Sequence, residues 1–262
     1  MVSTNPPLLR RERYLILGTL LVLAAIAWGV LIWQVPGMNN QGMGLTMGMS
    51  AALFIAIWAV MMVAMMLPAA APMILMFSAV YAGKRQKEQP FVPTWIFVSA
   101  YLLVWILCGV IAYPLALGAG KLAAQSMWIM DNGARIGGVI LVAAGLYQLS
   151  PLKRICLSKC HSPFQFILAS WRDGYGGAFR MGFEHGIFCL GCCWLLFLIL
   201  FPLGIMNIAV MALVTVLIFS EKVFPIGPRI AQLAALLLIT YGVLVIFLPS
   251  LLPTMPTMQA PM

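Results

Sequence analysis

Apolar residues run along this chain in long blocks, and the blocks are separated by short polar stretches rich in Lys, Arg, Gly and Pro. A helix needs about 20 apolar residues to cross a hydrocarbon core of roughly 30 Å. Seven blocks predict spans, at Tyr14–Trp33, Ala51–Tyr81, Pro93–Leu117, Arg135–Leu149, Met181–Phe201, Met206–Ser220 and Arg229–Leu248. The second is too long for an upright span and holds Pro68 and Pro72, so a kink or break is expected there. Phe164–Trp171 is too short to cross and reads as an interfacial segment. The first block follows Arg10, Arg11 and Arg13 but is long, with no small-residue cleavage pattern after Trp33, so it reads as a retained helix. The expected fold is all-α: one integral membrane domain over 1–262, with a polytopic helical bundle at 14–249 and a Met/Pro-rich tail at 250–262.

Composition agrees with this reading and narrows it. Charged residues make up 8% of the 262 and mean hydropathy is +1.04, against roughly 25% charge in soluble domains. A soluble enzyme, a disordered tail and a secreted disulfide scaffold are excluded. The net charge of +9 has an ordinary explanation. With the N-terminus inside, 13 of the 15 Lys and Arg fall on inner segments, and only Lys121 and Arg135 fall outside. That is the positive-inside pattern, and it requires no nucleic acid. Seven spans then put the C-terminus outside.

Orientation separates two kinds of sulfur. Met38, Met43, Met47, Met49, Met127, Met130, Met255, Met258 and Met262 fall in outer segments, whereas no Cys does. Thiols survive on the reducing side, and thioethers tolerate both sides better. Both are soft donors that select Cu(I). Met is also a common membrane hydrophobe, so the outer residues alone do not establish a path. Met61, Met62, Met65 and Met66, with Met73 and Met76, fall within an arc of roughly 140° on the second helix. They form either a soft donor stripe or a soft packing stripe.

The sharpest constellation is Glu184-His185-Gly186-Ile187-Phe188-Cys189-Leu190-Gly191-Cys192-Cys193-Trp194. His185, Cys189 and Cys192 recur at helical spacing on one face, with Cys193 at its edge. Three thiols and an imidazole suit a soft metal, and Gly182, Gly186 and Gly191 would admit a close neighbouring helix. Adjacent Cys192 and Cys193 equally fit a redox dithiol. Cys156, Cys160 and His161 lie in an inner loop between Pro151 and Pro163, a further candidate metal group beside Lys153, Arg154 and Lys159. Glu184 is placed to pair with Arg180, and Glu221-Lys222 reads as an interfacial anchor. No carboxylate falls mid-span, which argues against a deep acidic proton relay. Nucleotide-binding and nucleophile-elbow motifs are missing from the sequence.

Several segments together resemble a bacterial family of predicted metal-binding integral membrane proteins. They are Met61–Pro68 with Pro72, Tyr147–Lys153 with Cys156 and Cys160, Met181–Trp194, Gly204–Asn207 and Glu221-Lys222, across roughly residues 50–230. Phe197 stands where that family often has Met, and His161 where it often has Arg. The resemblance implies metal binding, in the inner membrane of a bacterium. Three functions follow as expectations. One is binding of a soft metal, Cu(I), for transport or delivery to a membrane metalloprotein or metallochaperone. The second is membrane thiol–disulfide or electron transfer. The third is a non-catalytic subunit or assembly factor of a membrane complex or oligomer.

Overall fold

A computed structural model describes residues 6–38, 46, 48–85 and 92–252. In chain order the helices are α1 (Pro6–Met38), α2 (Ala51–Arg85), α3 (Thr94–Gln125), α4 (Met127–Asp131), α5 (Gly133–Leu149), α6 (Pro151–His161), α7 (Pro163–Ser170), α8 (Gly174–Leu198), α9 (Leu200–Leu203), α10 (Ile208–Val223) and α11 (Gly227–Phe247). No strand occurs among the described residues. In a bilayer, every backbone N–H and C=O must be satisfied within its own segment or a closed barrel, so apolar runs of this length fold as helices.

Five helical stretches are long and apolar enough to cross a membrane: Arg11–Gln34, Ala51–Gly83, Thr94–Gln125, Gly174–Leu203 and Gly227–Phe247. A sixth appears if α5 and α6, bent by 62° at their junction, count as one broken span. The expected seven spans are therefore too many by this measure. α10 has 16 residues, which rise only about 24 Å. The count has a topological consequence, because six spans would return the C-terminus to the side of the N-terminus. The expected break in α2 is absent: the helix runs continuously through Pro68 and Pro72. Proline removes one N–H but keeps a helical φ, which membrane helices tolerate. The expected inner loop around Cys156 is also corrected. Ser150, with extended backbone (ψ 147°), ends α5, and Pro151 opens helix α6, a favoured first helical position.

The chain packs as two compact units. One comprises 1–34, 52–110 and 155–191. Trp58 Nε1 donates to the Trp105 carbonyl at 2.9 Å, and the Trp58 ring lies over Gly109, where a Cβ would come within 2.5 Å of it. Phe77 stacks on Phe97 with centroids 4.8 Å apart, and Tyr81 meets Trp171 at 5.0 Å. The other unit comprises 35–51, 111–154 and 192–262. Here α5 and α11 approach through small residues. A Cβ on Gly138 would sit 2.8 Å from the Gly242 carbonyl, and one on Gly145 would sit 2.9 Å from that of Ala235. Such stripes let membrane helices pack at backbone distance. Asn207 caps α10, its Oδ1 accepting from the Ala209 and Val210 amides.

Candidate metal centre

α8 carries four of the eleven candidate donors, and its glycines determine what lies against them. A Cβ on Gly182 would fall 2.3 Å from the Phe97 carbonyl, and one on Gly186 would fall 2.8 Å from Val104 Cγ2. α3 therefore lies directly on this face of α8. Phe97, Tyr101 and Val104 recur at helical spacing on α3, and all three are buried.

The consequence is a wall around His185. Phe97 and Tyr101 stack on its ring with centroids at 5.9 and 5.5 Å. Phe166 of α7 closes the third side edge-on at 5.5 Å. One turn along α8, the Tyr101 hydroxyl lies 3.0 Å from Cys189 Sγ. A single side chain thus touches two candidate donors, with its ring on His185 and its hydroxyl on Cys189. Sequence reasoning missed Tyr101. The glycines signalled a close helix, but nothing in a linear pattern said that α3 supplies it.

Met61, Met62, Met65 and Met66 are all buried at 1% exposure or less. Cys192 and Cys193 are equally buried, with their sulfurs 3.2 Å apart. On α6, Cys160 is buried and His161 and Cys156 are half-buried. Cys156 does not stand apart from α8. Its Sγ would lie 2.8 Å from a Cβ built on Gly191. The third glycine of the motif therefore seats a thiol from another helix, at a position lying in sequence between Cys189 and Cys192.

Among the described residues, no three His, Cys, Asp or Glu side chains converge closely enough to hold a metal ion. Of the outer methionines, Met43, Met47, Met255, Met258 and Met262 lie outside the described residues, as does the Met38 side chain. Lys87 and the side chains of Arg10, Lys84 and Arg85, four of the cations on inner segments, lie outside them too. Met49 is buried, whereas Met127 and Met130 are 82% and 62% exposed.

The charged groups divide. Arg180 Nε donates to Glu184 at 2.9 Å, the expected pair at the start of α8. The reading of Glu221-Lys222 as an interfacial anchor is overturned. Glu221 and Lys222 are both buried, and Glu221 Oε2 pairs with Lys153 Nζ at 2.6 Å. Lys153 lies 68 positions away and had been read as a loop cation.

Residues 55–245 match the model of a family described as PpoB2, copper chaperone. No curated protein and no solved structure gives a match.

Proposed function

The chain belongs to the PpoB2 copper chaperone family, and we propose that it holds Cu(I) as cargo on sulfur donors within its membrane helices and delivers it to a membrane metalloprotein. The observation that carries this reading is the burial of His185, Cys189, Cys192 and Cys193 along α8, with Tyr101 reaching both His185 and Cys189. Thiolate and thioether select Cu(I) over harder ions. Cu(I) accepts low coordination numbers, so a centre does not require three converging His or Cys groups. Cys189, Cys192 and Cys193 are the main thiol donors in this reading. His185 on the same helix, and separately the thioethers of Met61, Met62, Met65 and Met66 on α2, are further soft donors in this reading, while Cys156, Cys160 and His161 exchange the ion. Tyr101 holds Cys189 in place. The charge bias of the loops supports a cytoplasmic N-terminus in a bacterial inner membrane.

The test is metal stoichiometry. Wild-type protein purified with Cu(I) under reducing conditions retains copper in a fixed ratio to chain. The triple substitution Cys189→Ser, Cys192→Ser, Cys193→Ser loses it. A triple variant that binds at the wild-type ratio overturns the assignment.

The 3.2 Å separation of the Cys192 and Cys193 sulfurs favours a second reading, thiol–disulfide exchange. The pair would give two electrons and two protons to a partner disulfide, which leaves as two thiols. Adjacent Cα atoms lie about 3.8 Å apart, short of the roughly 4.4–6.8 Å usual across a disulfide, so that bond would be strained. Copper binding is the better-supported function for this reason. Alkylation mapping after oxidant treatment decides the matter: thiols that stay titratable eliminate the redox reading.

A further inference from the structure

His185 follows directly on Glu184 in α8. Glu184 pairs with the exposed Arg180, so water reaches this end of the helix. His185 is nevertheless only 2% exposed. Three rings enclose it, and they are not held alike. Phe97 and Tyr101 stand on α3, a helix of 32 residues. Gly182 and Gly186 fasten α3 onto this face of α8 at backbone distance. Phe166 stands on α7, a helix of only eight residues. Its ring centroid lies 5.5 Å from that of His185 and 6.2 Å from that of Phe188, edge-on to both. Phe166 thus fills the notch between two side chains one turn apart on α8.

α7 is the weakly held part of this wall. Phe166 and Ile167 are its buried residues, whereas Phe164 and Leu168 are exposed. Non-helical backbone bounds it on both sides. Ser162 (φ −114°, ψ 76°) separates it from α6. Residues 171–173 lead to Gly174, whose left-handed φ of +78° opens α8. Eight residues make about two helical turns, too few to hold a helix without packing. Opening α7 therefore costs the burial of two side chains, whereas moving α3 costs a whole helix interface. The far end is tethered. Trp171 packs on Tyr81 at 5.0 Å, and its Nε1 donates to Asp173 Oδ1 at 3.1 Å. The motion open to α7 is a swing about its two ends. The first of these ends follows directly on Cys160 and His161, two of the donors assigned above to ion exchange.

We propose that α7 is the gate of the His185–Cys189 site and that Phe166 is its plug. A soft cation, Cu(I), reaches His185 and Cys189 from the polar end of α8 when α7 swings aside, and is enclosed when α7 returns. The cargo in this statement rests on the copper reading above, whereas the closing of α7 over His185 does not. A gate raises entry and exit rates together and leaves affinity nearly where it was, while a residue that positions a ligand changes the affinity.

The test uses full-length protein in detergent. The chain has two His, so acylation by diethyl pyrocarbonate, followed by mass spectrometry, reads His185 with half-buried His161 as its reference. Without metal, Phe166→Ala raises acylation of His185 about tenfold or more and leaves His161 within about twofold of wild type. Phe164→Ala, on the exposed side of α7, changes neither. Hydrogen exchange on the wild-type chain covers the case in which Phe166→Ala fails to fold: the amides of α7 exchange about tenfold or more faster than those of neighbouring α6. With Cu(I) added, Phe166→Ala speeds capture and release by a similar factor, about tenfold, and shifts the affinity by less than about threefold. Unchanged His185 acylation in Phe166→Ala overturns the gate, as does an equal rise in Phe164→Ala. So do α7 amides as protected as those of α6. A weakened affinity with an unchanged capture rate overturns it too, because Phe166 then only positions His185. A chain that binds no Cu(I) but passes the acylation and exchange tests ends the copper reading and supports the gate.

Discussion

Two buried groups in this protein illustrate opposite ways of placing polar chemistry in an apolar interior. Around α8, His185 and Cys189 lie among Phe97, Tyr101 and Phe166. Their polarity is modest, and aromatic packing together with hydrogen bonding such as that between Tyr101 and Cys189 accommodates it. At the α5–α6 break, Lys153 and Glu221 carry full charges and are enclosed with Gln148 in a closed hydrogen-bonded set. A full charge in such surroundings must be matched almost completely. In the copper reading proposed above, the soft group exchanges a ligand at little electrostatic cost. The charged group does not, which suits it to hold geometry.

The comparison breaks most readily at the charged cluster. Truncating one partner, as in Lys153→Met, strands a carboxylate and costs up to about 3–5 kcal/mol, whereas the double variant Lys153→Met/Glu221→Met recovers most of that loss. Chemical unfolding in detergent, run as a double-mutant cycle, measures both. A double variant as unstable as the singles contradicts the account.

A smaller effect is expected where α3 meets α8. Gly182→Ala places a methyl group against the Phe97 carbonyl, and forcing the helices apart costs about 1–3 kcal/mol. Copper retention falls with it, because Tyr101 moves off His185 and Cys189. Thermal unfolding and bound copper are measured on one preparation, and a variant that keeps both at wild-type values shows that the α3–α8 approach is unimportant. The smallest change is Tyr101→Phe. It keeps the ring on His185 and removes the hydroxyl 3.0 Å from Cys189, for a loss of about 0.5–1.5 kcal/mol. Competition with a Cu(I) chelator shows weaker retention with the fold intact, and unchanged retention removes Tyr101 from the site.

The same contrast explains what was legible in the sequence. α1, α2, α3, α8 and α11 were readable because each apolar run is long enough to be nothing but a helix. The donors on α8 were readable because they recur on one element at helical spacing. Tyr101 was not, since its importance comes from a neighbour that only tertiary packing supplies. α6 was misread as a loop because Pro151 and Pro163 flank a basic segment, and its buried face begins with a lysine. No local rule foresees that Lys153 meets a carboxylate 68 residues on. Glu221, at the end of an apolar run, looked like an anchor for the same reason. The copper reading was reached through ligand softness, and the family match over 55–245 agrees with the copper half of it.

The central claim is that sulfur on the membrane helices holds the cargo. X-ray absorption at the copper edge, on wild-type protein loaded with Cu(I), tests it most directly. The account predicts a cuprous ion in a sulfur-dominated shell that Cys189→Ser depletes of sulfur. A shell of nitrogen and oxygen alone, unchanged in that variant, contradicts it.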